Sequence, residues 1–303
     1  MKNNLKSSLI ALMASVIWGF AFVAQTQNTL GTFTLNALRS LIAFLFLLPV
    51  IRIFCGKGPL LKEKTPALTK RLWLGGVLAG IALSAASFLQ QHGIDSGLTA
   101  GKAGFITALY LMLVPLLGLF LGRKTSVTVW VAVFHAVGAL YLLCIREGFH
   151  VDIRDLFVMG AALMFAVQIL LIDRFSPGIN GIRMSCIQFL TVFGISVLFA
   201  GIFERGFSLP LLRENLFPVL FLGIGSSGIA YTLQILAQQG GGDPAVVSVM
   251  MSMESVFSVV GGAIILGERM QPREYLGCFV MLIAVLFTQL GPYWEQKARK
   301  TES

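Results

Sequence analysis

Long apolar runs, separated by short polar stretches, recur along the whole 303-residue chain. Each run is close to the ~20 residues that an α-helix needs to cross the hydrocarbon core of a bilayer. The runs lack the alternation of apolar and polar positions over about ten residues that is typical of membrane β-strands. The pattern therefore predicts an all-α integral membrane protein with ten transmembrane helices. The predicted spans are residues 7–25, 33–54, 72–91, 98–121, 126–146, 155–173, 182–203, 216–238, 245–267 and 273–291.

The amino-acid composition agrees with an exterior that faces lipid. Hydrophobic residues make up 56% of the chain and charged residues 12%, whereas a soluble domain carries about 25% charged residues. The net charge of +9 does not indicate a nucleic-acid partner, because the densest basic stretch, residues 52–71, lies between two apolar runs as a cytoplasmic loop does. The four cysteines form no C-x-x-C pair, so we expect neither a metal site nor a redox pair.

The distribution of Lys and Arg predicts the orientation of the chain in the membrane. With the N-terminus in the cytoplasm, the inner segments hold 15 of the 23 basic residues and the outer loops hold 6. Because basic residues collect on the cytoplasmic side, we expect a multi-pass protein of the cell membrane with both termini inside. The N-terminal apolar run is interpreted as an uncleaved first span, and residues 292–303 as a cytoplasmic tail.

The sequence GIGSSG at residues 223–228 has the G-x-G-x-x-G spacing of a dinucleotide-binding loop, and Asp243 follows Gly223 by twenty residues. Such a loop must follow a strand and open a helix within a βαβ unit. This one lies inside an apolar run, and the next segment is another predicted span. Small residues in a membrane helix allow a neighbouring helix to approach closely. We therefore interpret the motif as a helix-packing surface and expect no nucleotide cofactor.

Two segments of the chain resemble each other at an offset of 143 residues. GIALSAASFLQQHGIDSG, at 80–97, aligns with GIGSSGIAYTLQILAQQG, at 223–240. This similarity predicts two five-helix repeats, at residues 1–147 and 155–291. An odd number of spans turns the second copy over in the membrane, and such inverted repeats are typical of transporters with a binding site near the midplane.

Several segments resemble EamA-type transporters of the drug/metabolite transporter superfamily. They are ALMASVIWGFAFVAQ, LNALRSLIAFLFLLP with Arg39, AGKAGFITALYLMLVPLLGLFLGRK and SMESVFSVVGGAIILGERMQ. The resemblance implies ten helices, with spans 1–4 and 6–9 around a central cavity and spans 5 and 10 outside it. It also implies movement of small metabolites, often amino acids and often outward. Ser255 stands where the family commonly has proline, which puts a break in span 9 in doubt.

Two ionisable residues inside spans are the main candidates for substrate binding. Such groups cost about 2.5–3.5 kcal/mol each to insert and therefore often mark functional sites. Glu254 lies near the middle of span 9, where it either binds substrate, carries a coupling proton or is a buried structural acid. Arg39 lies in span 2 and either contacts substrate or forms an ion pair, for example with Glu254.

Further candidates are polar or aromatic residues of the spans. Lys102 lies at the outer end of span 4, where its ammonium group can reach the membrane surface. Gln91 and Gln234 occupy matching positions in the two repeats and either face a cavity or join helices by hydrogen bonds. The aromatic candidates, which either line a cavity or fill the core, are Trp18, Phe88, Tyr110 and Tyr231.

These features together favour a secondary transporter that moves a small metabolite by alternating access. The chain has no Walker pattern for ATP, and Arg39 together with Glu254 would suit a zwitterion such as an amino acid. The expected partners are the lipid bilayer and a small-molecule substrate. The alternatives are a channel or a receptor. An intramembrane enzyme has weaker support, because neither of the catalytic motifs H-E-x-x-H and G-x-S-x-G occurs.

Overall fold

The structure is a computed structural model that describes residues 2–56, 58–98, 100–123, 125–145, 152–204, 209–240, 243–265 and 269–301. Every regular element in these ranges is a helix. The first part of the chain forms α1 (Lys2–Thr26), α2 (Thr32–Cys55), α3 (Pro66–Asp95), α4 (Ala100–Ala108), α5 (Tyr110–Phe120) and α6 (Val127–Cys144). The second part forms α7 (Ile153–Phe175), α8 (Gly181–Phe203), α9 (Leu209–Glu214), α10 (Leu216–Leu220), a π-helix (Phe221–Ala230), α11 (Tyr231–Gln239), α12 (Pro244–Met251), α13 (Glu254–Ile265) and α14 (Pro272–Thr301).

Eight helical segments of the described chain are long and apolar enough to cross a membrane. A shorter apolar segment, Val127–Leu143, lies within α6. The chain is thus an all-helical, multi-pass membrane protein, as its hydrophobic pattern predicts. Ten crossings would require α6 and α14 to cross the membrane as well. Both the ten crossings and the inverted arrangement of the repeats therefore stay predictions. Helix α14 continues through residues 292–301, the predicted cytoplasmic tail.

Side-chain caps explain where several of these helices begin. The Thr65 side chain accepts a hydrogen bond from the backbone N–H of Leu68 at the start of α3. Asp152 and Asp155 form a capping box at the start of α7, which satisfies backbone N–H groups that have no partner within the helix. Hydrogen bonds from Arg154 lower the pKa of the exposed Asp152 carboxyl, which stays ionised there.

Two spans are broken at their centres. One break separates α4 from α5 at Leu109, and the other separates α12 from α13 at residues 252–253. The second break forms although Ser255 stands in place of proline. Near it, Ser252 Oγ donates to the carbonyl of Val249 at 2.8 Å, a side-chain bond that competes with the helical ladder and bends helices. The doubt about a break in span 9 is thereby resolved in favour of a break.

The GIGSSG segment lies in the π-helix and packs against α2. A Cβ atom added at Gly223 would lie 2.7 Å from Ile42 Cβ, and one added at Gly228 would lie 2.8 Å from Phe46 Cδ1. Both glycines are therefore needed for the close approach of the two helices. Gly225 differs, because the nearest atom to its added Cβ lies 3.6 Å away. The motif has no strand before it, as the interpretation of a packing surface requires.

The two parts of the chain interleave. Helix α3 packs against α7 and α8, α2 packs against α8 and the π-helix, and α1 packs against α11 and α13. Helices α6 and α14 pack mainly against each other. The centre of the bundle is therefore lined by elements from both parts.

Candidate functional site

A cavity of about 50 Å³ lies at the centre of the bundle. Both broken spans and the π-helix contribute to its wall. Six of the nine residues predicted to bind substrate line it, namely Trp18, Arg39, Tyr110, Tyr231, Gln234 and Glu254. The structure brings these six together from five different helices, α1, α2, α5, α11 and α13.

Arg39 is held by hydroxyl groups rather than by a carboxylate. Its side chain is buried, with 7% exposed. Its Nε donates to Ser227 Oγ at 2.9 Å, and its Nη2 donates to Ser226 Oγ at 2.8 Å. The two serines are neighbours on the π-helix, whose wider turns are frequent at functional sites. The GIGSSG segment thus positions the guanidinium group of Arg39 at the cavity wall.

Glu254 is the first residue of α13. It is 5% exposed, and its Oε1 accepts a hydrogen bond from the Tyr110 hydroxyl at 3.2 Å. Tyr110 and Glu254 begin α5 and α13, so each follows directly on a helix break. The break in span 9 therefore places the carboxyl group of Glu254 at a helix N-terminus, where the helix dipole favours its ionised form.

Arg39 and Glu254 do not form an ion pair with each other. Within the described part of the protein, the side chains of Arg39 and Glu254 form hydrogen bonds with hydroxyl groups, on the serines of the π-helix and on Tyr110. Both side chains nevertheless line the same cavity. The cavity wall therefore carries one buried guanidinium group and one buried carboxyl group that do not contact each other directly.

Aromatic rings form a further part of the wall. The rings of Trp18 and Tyr231 lie edge to face with centroids 4.8 Å apart, and those of Tyr110 and Phe165 lie 6.5 Å apart. The indole N–H of Trp18 and the amide oxygen Oε1 of Gln234 are buried and have no hydrogen-bond partner in the described part of the protein. Such groups are rare in native structures, so two residues that line the cavity carry one unpartnered donor and one unpartnered acceptor.

Buried glutamines form hydrogen-bonded groups beside the cavity in both parts of the chain. In the first part, Gln25 Nε2 donates to Gln90 Oε1 at 3.4 Å and to Gln91 Oε1 at 3.3 Å. In the second part, Gln234 Nε2 donates to Gln168 Oε1 at 3.0 Å. Gln25, Gln90 and Gln168 line the cavity, and sequence reasoning missed them. The signal that marks them is an amide within a predicted span.

Three of the predicted residues lie away from the cavity wall. Phe88 belongs to an aromatic cluster with Phe33 and Phe199, at centroid distances of 4.8 and 5.8 Å. Lys102 forms an ion pair with Asp155 at 2.7 Å. Gln91 does not line the cavity, and its Oε1 accepts a hydrogen bond from Gln25, which does.

A larger space, of about 480 Å³, lies along the same helices towards one end of the bundle. Its wall includes Val114 one turn beyond Tyr110 on α5, and Gln238 one turn beyond Gln234 on α11. Gln238 Nε2 donates to the carbonyl of Ile169, a cavity residue, at 2.8 Å. We call this space the vestibule. It also contains Asp243, whose pKa is raised by burial.

The vestibule lies at the end of the bundle that carries the basic 52–71 loop. Arg71 Nε donates to the carbonyl of Phe175, the last residue of α7, at 3.0 Å. Asp173, in the last turn of α7, lines the vestibule.

The part of the chain that the structure describes contains no group of three or more His, Cys, Asp or Glu residues that could hold a metal ion.

Apolar helices of spanning length around a buried polar cavity place this protein in the class of integral membrane transporters, and the comparisons with known proteins agree. The model of the EamA-like transporter family matches residues 5–145 and, a second time, residues 153–290. The chain belongs to the EamA-like transporter family.

Two similar proteins extend over nearly the whole chain. An uncharacterized transporter from Archaeoglobus fulgidus is 27% identical over 296 residues, which cover 95% of this chain and 87% of the relative. A solved structure described as "Crystal structure of protein" matches with a TM-score of 0.77 and 19% identity, over 98% of this chain and 99% of that one. The second similarity concerns the fold alone.

Proposed function

We propose that this protein is a secondary transporter that carries a small zwitterionic metabolite, such as an amino acid, across the cell membrane by alternating access. The observation that carries the proposal is the pair Arg39 and Glu254, which line one cavity without forming an ion pair. A buried charge in a membrane is costly unless an opposite charge compensates it. A substrate with a carboxylate for Arg39 and an amine for Glu254 compensates both.

The remaining polar groups of the wall suit the same kind of ligand. The unused N–H of Trp18 and the unused amide oxygen of Gln234 are a donor and an acceptor for a small polar molecule. The rings of Trp18, Tyr110 and Tyr231 supply apolar contact for a side chain and a face for a cation. The proposed binding site is restricted to the residues that line the cavity.

The vestibule supports movement between the cavity and one side of the membrane. It lies beyond the cavity along α5, α7 and α11, at the end that carries the basic loop, which is predicted to be cytoplasmic. A substrate from the cytoplasm would thus reach the cavity through the vestibule. Together with the resemblance to a family whose members often transport outward, this favours export.

The proposal is tested with the purified protein in liposomes. Vesicles preloaded with a mixture of unlabelled amino acids should accumulate a labelled amino acid from outside, because a carrier exchanges its substrates across the membrane. A channel would show neither saturation nor this counterflow. The absence of counterflow with all amino acids would contradict the proposed substrate class.

The variant Glu254→Gln tests the role of the carboxylate. It keeps the size of the side chain and its hydrogen bond with Tyr110, so expression and monodispersity should be unchanged. Transport should fall at least about tenfold, equivalent to about 1.4 kcal/mol in one step. The matched control is Glu214→Gln, which removes an exposed carboxylate and should transport normally.

The same variant separates two possible tasks of Glu254. If the carboxylate carries a coupling proton, the dependence of transport on pH should flatten in Glu254→Gln. If it binds the substrate's amine, the half-saturation concentration should rise instead. Normal transport by the variant from about pH 5 to 8 would eliminate both tasks.

A further inference from the structure

A groove of about 720 Å³ lies on the outer surface of the bundle between α5 and α7. It is located where the two helices end, at Phe120 and Phe175. Its wall is apolar and includes Leu117, Phe120 and Leu171. The Phe120 side chain is 89% exposed, so the groove opens outward. Because α5 and α7 belong to candidate membrane spans, this apolar wall faces lipid.

Two arginines line one end of the groove. Arg174 lies in the last turn of α7 and is exposed, with no ion pair or hydrogen bond of its side chain to any other described residue. Arg123 follows α5 and pairs with Asp173, yet 41% of its side chain remains exposed. The nearby carboxylates of Asp173 and Asp243 line the vestibule instead. The described wall of the groove therefore combines apolar side chains with two positive charges and no negative charge.

We propose that this groove binds one anionic phospholipid, with its phosphate between Arg123 and Arg174 and an acyl chain along the apolar wall. Guanidinium groups form strong paired hydrogen bonds with phosphate. The arginines lie at the ends of two spans, where lipid headgroups are located, and basic pockets between membrane helices favour anionic lipids. A zwitterionic phospholipid offers the same chains and phosphate but no net negative charge, so the anionic lipid is preferred.

Arg123 connects this lipid site with the vestibule, because its side chain lines both spaces. A lipid phosphate in the groove competes with Asp173 for the guanidinium group. Occupancy by lipid therefore weakens the ion pair that joins the segment after α5 to α7. The lipid site is independent of the proposed substrate, and it is tested by binding rather than by transport.

The test compares phosphatidylglycerol with phosphatidylcholine of identical acyl chains, added to the purified protein in detergent. Thermal unfolding and native mass spectrometry measure stabilisation and retained lipid. Phosphatidylglycerol should raise the unfolding midpoint more than phosphatidylcholine does, because a bound ligand stabilises the folded state. In Arg174→Gln, the preference for phosphatidylglycerol should fall about fivefold, or about 1 kcal/mol for one arginine at the membrane surface.

Matched controls separate this site from general surface charge. Lys70→Gln removes an exposed positive charge at the same end of the bundle, outside the groove, and should keep the full lipid preference. Arg174→Gln should unfold at the wild-type midpoint without lipid, since the side chain has no partner to lose. Equal effects of both lipids on the wild type, or an unchanged preference in Arg174→Gln, would overturn the proposal. So would an equal loss in Lys70→Gln, or full reproduction of the effect by inorganic phosphate, which would indicate a site for free anions.

Discussion

At the scale of single residues, the ion pair of Lys102 and Asp155 joins the first part of the chain to the second. Lys102 lies on α4, and Asp155 lies in the first turn of α7 with 0% of its surface exposed. Asp155 Oδ2 also accepts a hydrogen bond from the backbone N–H of Asp152 at 2.7 Å. Lys102 therefore neutralises a buried carboxylate that is tied to the start of α7.

The variant Lys102→Met should destabilise the protein, because it leaves a buried charge without its partner. Removing one member of a buried ion pair costs about 3–5 kcal/mol, which should appear as a lower unfolding midpoint in detergent. The double variant Lys102→Met, Asp155→Asn should recover much of the loss, since no unpaired charge remains. If Lys102→Met unfolded at the wild-type temperature, the pair would have no structural role.

Sequence reasoning identified residues of the cavity where a polar group stands out in an apolar span. Arg39 and Glu254 are recognisable in this way, because an ionisable group inside a membrane is costly and therefore often marks a functional site. The rotation of each helix decides which neighbouring positions face inward, and the sequence does not specify it. For this reason Gln91 was chosen although Gln90 lines the cavity, and Lys102 was considered without Asp155, 53 residues away.

At the scale of elements, the irregular segments of the bundle form the candidate site. The break before Glu254 and the π-helix with Ser226 and Ser227 each place a polar group at the cavity. The hydrophobic pattern predicts the helix that contains GIGSSG, but not its π-helical turns, because the same residues suit both forms. The break in span 9 is likewise not predicted from the sequence, because Ser255 stands at the position where a proline would indicate it. The sequence thus predicts the spans better than the local geometry that makes them functional.

Alanine substitutions in the GIGSSG segment test its contact with α2. Gly223→Ala and Gly228→Ala place a methyl group at 2.7 Å from Ile42 and 2.8 Å from Phe46, and such overpacking costs about 1–3 kcal/mol. Gly225→Ala is the matched control, because its methyl group meets only ordinary contacts and alanine is the better helix former. Unfolding midpoints in detergent should fall for the first two variants and stay equal or rise for the third. If Gly223→Ala and Gly228→Ala did not unfold at lower temperatures than Gly225→Ala, the segment would not act as a packing surface.

At the scale of the whole molecule, the two parts of the chain contribute jointly to one cavity. The EamA-like family model matches each part separately, while α1, α2 and α3 pack largely against helices of the other part. Neither part encloses the cavity alone, since Arg39 comes from the first part and Glu254 from the second. This arrangement agrees with a duplicated unit, and an odd number of spans per unit would place the two copies in opposite orientations.

Reporter fusions test this inverted arrangement and the orientation together. The basic residues, 15 in the predicted inner segments against 6 in the outer loops, predict that both termini lie in the cytoplasm. A reporter enzyme that is active only outside the cytoplasmic membrane should therefore be inactive when fused after residue 303. Fused after residue 147, behind the first five predicted spans, it should be active, because an odd number of crossings brings that point to the outer side. A reporter that is fluorescent only in the cytoplasm should give the opposite result at each position and controls for expression. The same result at both positions would refute the odd number of spans per repeat, and a complete reversal would refute the orientation alone.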